Sequence, residues 1–311
     1  MSYLVGMDTL KGRPPSASDS GLHRLTSPAA SIPLREAFAH CEALTRAHTE
    51  NFPVGSRLVP GPLRPHICSI YAFARTADDF ADEPGMEPEE RLDRLDEWEA
   101  RLRSCLTAPE GPIFTALAET IRRHRVPVHL LSDLLKAFRM DVTTSRHQTF
   151  DDLLSYCRYS AVPVGRLILH LFGCADDARC RTSDAICTAL QLANFWQDIE
   201  IDFSRGQIYL PLADMDRFGV TEADLADRRV TSGFRSLLDC QIDRTETLFR
   251  QGRPLLDLVN GRLKFELRLT YLGGLEILKK IPQNGYDIFR NRPRNTARDW
   301  VRLLFRTVFF H

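Results

Sequence analysis

From Leu34 onward, apolar positions recur at the 3.6-residue period of amphipathic helices, and strand-like alternation is nowhere sustained. Prolines and glycines punctuate the pattern at Pro53, Pro60-Gly61-Pro62, Pro84-Gly85, Pro109 to Pro112, Pro127, Pro211, Pro254, Pro282 and Pro293. The segments between them predict helices over roughly 34–50, 64–83, 88–106, 113–124, 129–145, 150–172, 180–203, 232–252 and 256–280. A single all-α domain over residues 34–290 is the expected architecture. Residues 1–33 carry Gly, Pro and Ser with little periodicity and read as a disordered tail. Inside the apolar run 159–172, Pro163 removes a backbone hydrogen bond. It either bends one helix or separates two shorter ones at a corner, and Gly165 close behind it points to close helix approach.

Composition narrows the function. The chain has 311 residues, with 43% hydrophobic and 26% charged positions, ordinary for a soluble globular protein. Lys+Arg and Asp+Glu balance at 41 each, so no global basic field argues for nucleic acid. No apolar run reaches the roughly 18 residues of a membrane span, and the N-terminus lacks the basic-then-apolar pattern of a secretory signal. The eight cysteines form no C-x-x-C pair, which favours reduced thiols in a cytoplasmic protein over zinc or a disulfide framework.

Two aspartate pairs stand out, Asp78 with Asp82 and Asp198 with Asp202. In a helix an i, i+4 separation puts both carboxylates on one face, where like charges repel and call for a compensating partner. A hard divalent cation fits, because Mg²⁺ takes carboxylate oxygens and shares its other positions with water and substrate phosphates. The first pair follows an apolar stretch containing Ile67, Ile70, Tyr71 and Phe73, with Arg75 one turn after Tyr71. An Arg–Asp pair within one helix is the plain structural alternative. The second pair continues a polar stripe of Gln191, Asn194, Asp198 and Asp202 edged by Phe195 and Trp196, which looks inward to a cavity more readily than outward to water. Arg205 and Tyr209 follow it and can close over a phosphate. A third segment, Tyr156-Cys157-Arg158-Tyr159, offers phenols to a diphosphate or ring faces to a cation, although tyrosines in cores are commonly structural. His66, His129, His147 and His170 lack ligand-like spacing.

In this order the three segments resemble the squalene/phytoene synthase family over about residues 36–290. The resemblance implies an all-α isoprenoid (terpenoid) synthase fold, with a central cavity between two Asp-rich helices that bind Mg²⁺-diphosphate. It further implies that Asp78, Asp79, Asp82, Asp198 and Asp202 are the metal-binding acids. Tyr71, Arg75 and Tyr159 match catalytic positions, while Phe52, Gln191, Asn194, Arg205 and Tyr209 match substrate-binding ones. One departure is informative: many members that condense two prenyl diphosphates carry Arg immediately before Asp198, where this chain has Gln197. Together with Leu63-Arg64-Pro65-His66 and Pro163-Val164-Gly165-Arg166, Gln197 makes the chain most similar to the bacterial branch that converts presqualene diphosphate to hydroxysqualene for hopanoid synthesis. That branch receives its substrate from a sister enzyme. Two alternatives stay open: condensation of farnesyl or geranylgeranyl diphosphate to squalene, presqualene diphosphate or phytoene, and a non-catalytic helical assembly protein.

The C-terminal segment 291–311 is separate in character. Arg290, Arg292, Arg294, Arg298, Arg302 and Arg306 interleave with Trp300, Leu303, Leu304, Phe305, Val308, Phe309 and Phe310. Such a basic amphipathic helix either makes peripheral contact with the inner membrane face or docks on the core.

Overall fold

The fold is described from a computed structural model covering residues 32–47 and 59–308. The expected tail lies outside these residues apart from Ile32 and Pro33, and so does Phe52. The first half of the chain forms α1 (Leu34–Ala47), α2 (Arg64–Asp82), α3 (Pro88–Ser104), α4 (Gly111–His124) and α5 (Val128–Thr143). Next come α6 (Phe150–Ser160), α7 (Val162–Leu171), α8 (Asp177–Gln197) and α9 (Ile199–Ser204). The remainder forms α10 (Leu212–Phe218), α11 (Glu222–Ala226), α12 (Ser232–Gly252), α13 (Leu255–Leu258), α14 (Gly261–Gln283) and α15 (Ala297–Val308). The described residues contain no strand, and a single parallel bridge joins Arg146 to Ile208.

Burial divides the interior into two hydrophobic cores. The first packs α2 against α1, α3, α4 and α5 around Phe73, Leu95, Trp98, Phe114 and Leu131. Trp98 stacks on Phe73, meets Phe80 and Phe114, and donates its indole N–H to the Phe73 carbonyl at 3.2 Å, which fixes the second half of α2. The second core packs α8 against α7, α12 and α14 around Trp196, Phe234, Phe249 and Leu278. Trp196 donates to Thr245 Oγ1 at 2.9 Å, anchoring the end of α8 two residues before Asp198. Helices α5 and α7 face both ways: Leu134, Phe138, Leu167 and Leu171 join the first core, Ala137 and Leu169 the second.

Two predicted segments divide further than the periodicity shows, and at Pro163 the open alternative resolves to two helices. The run 150–172 becomes α6 and α7, meeting at Ala161 with Pro163 in the first turn of α7, where its missing N–H costs nothing. The run 180–203 begins earlier, at Asp177 behind the Asp176 cap, and breaks at Asp198, whose ψ of 14° interrupts α8 before α9. The run 256–280 becomes α13 and α14. Helices α10 and α11 are too short to carry a readable period, although α11 opens on a Thr221/Asp224 capping box.

Gly165 sits where α7 crosses α8. A Cβ there would lie 2.5 Å from Cys187 Sγ and press on Ser183 Oγ. Gly165→Ala is therefore expected to destabilise the protein by about 1–3 kcal/mol through overpacking. A urea unfolding midpoint equal to wild type would refute this close approach.

Candidate functional site

Helix α2 carries Tyr71, Arg75, Asp78, Asp79 and Asp82 along its second half. Its buried face holds Tyr71 (3% exposed), and burial pushes the Tyr71 phenol above its ordinary pKa. Arg75 bridges Asp78 at 3.1 Å and Asp79 at 2.5 Å, so the intrahelical pair foreseen as the plain alternative does form. It does not neutralise the site. Burial, and then the Asp82 charge, push Asp78 up to about 6. Asp82 is exposed at the helix end.

The second acidic motif is built differently. Gln191, Asn194 and Gln197 are buried on α8, and Asn194 Nδ2 has no hydrogen-bond partner among the described residues. Although the helix breaks at Asp198, the Asp202 N–H still reaches the Asp198 carbonyl at 2.9 Å, so the two acids keep their one-turn separation. Burial and the neighbouring Asp198 push Asp202 up to about 8, opposed by Arg205 and Arg292. Asp198 is held by the Arg292 guanidinium, which donates from Nη2 to Oδ2 at 3.1 Å and from Nε to Oδ1. The Gln197 side-chain amide donates to the Pro293 carbonyl. Two consecutive residues of the α8–α9 junction thus grip the segment after α14.

Between the motifs stands a group the sequence reading passed over. Asp141, near the end of α5, accepts a hydrogen bond from Tyr156 Oη at 2.7 Å. Its burial, together with the charges of Asp78 and Asp82, raises it to about 7. Tyr209 completes the group, its ring stacked on Phe195 with centroids 3.8 Å apart and its phenol raised by burial and by Asp141, Asp202 and Asp82. Tyr209 therefore feels both acidic motifs at once. A backbone clasp holds it in place: Ile208 N–H donates to Ser145 O, Leu212 N–H to His147 O, and Arg146 pairs with Glu222. Asp202, Gln207, Tyr209 and Phe195 line a small pocket at this point.

The structure thus brings together Asp78, Asp82, Asp202 and Tyr209, with Asn194 and Asp198 on the same α8 stripe. Arg205 is exposed beside Asp202, and Asp79 is turned toward Arg75. Tyr159 is half-buried against the second core, its ring covered by the Lys136 ammonium at 3.8 Å. Tyr156 is the phenol that enters the acidic group. The helical period carried that signal, because Leu153, Tyr156, Cys157 and Ser160 form one buried i, i+3, i+4, i+7 face that leaves out Tyr159. Asp141 gave no such signal, and Arg292 was read only as part of the basic C-terminal run.

These donors suit a hard cation. They are carboxyl groups, two of which (Asp78 and Asp202) are raised by burial and by their acidic neighbours, with an unpartnered Asn194 amide beside them. Among the described residues no three acids, histidines or cysteines converge into a ready-made cage.

The squalene/phytoene synthase family profile matches residues 45–300. The chain belongs to that family. This squalene/phytoene synthase family member is accordingly an enzyme of isoprenoid biosynthesis, in a class that processes prenyl diphosphates and generally uses a divalent metal. It is 40% identical to hydroxysqualene synthase of Rhodopseudomonas palustris over 222 residues, covering 70% of this chain and 74% of the relative. It is 31% identical to phytoene synthase 3 of Zea mays over 266 residues, covering 83% of this chain and 62% of the maize protein, so it spans about three fifths of that relative's length. Its fold superimposes on squalene synthase HpnC of Alicyclobacillus acidocaldarius with a TM-score of 0.77 at 46% identity, covering 82% of this chain and 97% of the other. A ligand-bound dehydrosqualene synthase, 23% identical, gives a TM-score of 0.78 over 89% of this chain and 97% of the other, and supports the fold alone.

Proposed function

We propose that the protein converts presqualene diphosphate and water to hydroxysqualene, diphosphate and a proton. The observation that carries this reading is the second acidic motif: neutral Gln197 replaces the cation common in condensing members, and its amide is committed to Pro293. The likeness to the Rhodopseudomonas hydroxysqualene synthase supports it.

Asp78 and Asp82 on one side and Asp198 and Asp202 on the other would hold Mg²⁺, which when bound supplies positive charge for the departing diphosphate. Arg205 and Arg292 place two more cations beside the second pair, where leaving-group charge develops. Asn194 Nδ2 offers a buried donor. Tyr156, Phe195 and Tyr209 present stacked and tilted rings to a carbocation. Asp141, at about 7 and gripped by Tyr156, exchanges a proton near neutrality and is placed to accept the one released when water captures the cation.

A second reading is condensation of two farnesyl diphosphates. The 46% identity to a protein described as a squalene synthase favours it. The discriminating experiment incubates the purified protein and Mg²⁺ with each diphosphate separately and analyses products by gas chromatography–mass spectrometry. Hydroxysqualene from presqualene diphosphate, with farnesyl diphosphate untouched, is the expected result. Turnover of farnesyl diphosphate would replace the proposal with the condensing reading, and inertness toward both would point to the assembly protein.

A further inference from the structure

Helix α15 is amphipathic in a way its docking does not explain. Its inner face is satisfied: Leu303 and Thr307 are buried, Trp300 lies over Gly273, and Thr296 and Asp299 cap the N-terminus. Lys280 pairs with Asp299, and Arg302 pairs with Glu276, which ties the helix to α14. A second apolar face remains in solvent. Val301 is 53% exposed, Leu304 40% and Phe305 65%, at i, i+3 and i+4 on one side of the helix. These three are half of the large hydrophobic residues exposed anywhere in the described structure.

Charge identifies what covers this face. Arg298, Arg302 and Arg306 stand at i, i+4 and i+8, in a row along the edge of the exposed apolar face, and all three are exposed. The segment 290–311 carries six arginines against one aspartate, in a chain whose total charge is zero. The rest of the protein is correspondingly acidic, so the positive charge is concentrated here. A second copy of this face would set arginine row against arginine row, which opposes self-pairing. No described helix is long and apolar enough to cross a membrane. An apolar strip edged by cations is the arrangement that lies in the plane of an anionic bilayer, with apolar side chains among the acyl chains and guanidinium groups at the phosphates.

We infer that the outer face of α15 (Val301, Leu304 and Phe305, with Arg298 and Arg306) seats the enzyme on the surface of a membrane rich in acidic phospholipid. This goes beyond the proposed reaction and stands whichever prenyl diphosphate the enzyme uses. The orientation has a structural corollary. The segment holding Arg292 and Pro293 leads directly into α15, so the seated helix is tied to the second acidic motif through the Arg292–Asp198 and Gln197–Pro293 contacts.

The test is flotation of the full-length protein with vesicles of equal phosphatidylglycerol and phosphatidylcholine, compared with phosphatidylcholine alone. Binding to the anionic vesicles is expected, at least about tenfold stronger than to the neutral ones and weakened by 0.5 M salt, roughly the ionic strength that shortens screening to a few ångströms. Leu304→Ser with Phe305→Ser, and separately Arg298→Glu with Arg306→Glu, should each reduce binding about tenfold. Both pairs are exposed, and unchanged circular dichroism and melting would exclude unfolding as the cause. Equal binding to both vesicle types, or binding unaffected by either pair, would overturn the inference. So would a dimer in lipid-free solution that the Leu304/Phe305 pair converts to monomer, because a second copy would then be the occupant.

Discussion

Asp202→Asn should cut kcat on the diphosphate substrate by about a thousandfold or more, near 4 kcal/mol of transition-state stabilisation, while leaving the metal-free protein folded. The amide keeps the shape of the side chain but removes the charge that would hold Mg²⁺. The pH dependence of stability gives an independent readout. Burial and Asp198 raise Asp202 to about 8 in the folded protein, from an unfolded value near 3.8. The folded state then binds this proton more tightly than the unfolded state. The carboxyl's contribution to stability is therefore greatest at low pH and is lost as pH rises from about 4 to about 8. Asp78, raised to about 6, acts in the same direction over the lower part of that window. Metal-free wild type should thus melt progressively lower between those limits, and the Asn variant less steeply. Mg²⁺ must displace the Asp202 proton, so its stabilising effect should grow toward pH 8 in wild type and be much smaller in the variant. Melting curves in EDTA and in Mg²⁺ at pH 6 and pH 8 decide the matter. Identical Mg²⁺ responses in the two proteins would remove Asp202 from the metal site.

For Arg292→Gln the prediction is loss of both stability and activity, with an opposite metal signature. Arg292 and Asp198 are only 16% and 13% exposed, and their two hydrogen bonds make a forked pair. Removing one partner of such a pair leaves a charge poorly solvated and costs about 3–5 kcal/mol when fully buried. The residual exposure of the pair reduces that to about 2–4 kcal/mol. Mg²⁺ supplies the missing positive charge, so it should restore more stability to the variant than it adds to wild type. Turnover should stay at least tenfold below wild type even at saturating Mg²⁺, because a cation beside the leaving group is gone. Arg292→Lys keeps the charge without the fork and should fall between the two. A variant with wild-type melting in EDTA would mean that the Arg292–Asp198 pair contributes nothing, and the assignment would fail.

What the sequence made legible follows the reach of each signal. The all-α fold, the two acidic motifs and the buried stripe through Gln191 and Asn194 are local patterns, and the structure carries them on α2, on α8 and on the short α9 that follows it. The break at Asp198 was not legible, because the residues on both sides continue the helical period and only the local backbone changes direction. The burial of Tyr156 lay in that same period and could have been read from it. Asp141 was hidden by being a single acid at a helix end, and its significance comes from charges on α2 that approach only in the folded chain. Arg292 is the clearest limit. Its neighbours read as a basic surface, and nothing in the pattern reports a contact with a residue 94 positions earlier.

The division of the interior has a consequence for how damage spreads. Asp78 and Asp82 ride on a helix seated in one core, while Asp198 and Asp202 follow a helix seated in the other, so each pair inherits the rigidity of its own foundation. A void opened beneath Trp98 loosens one jaw of a vice whose opposite jaw, set by Trp196, keeps its alignment. Substitutions far from the chemistry should therefore sort by side, and only those on α5 and α7, which serve both foundations, shift the two jaws together.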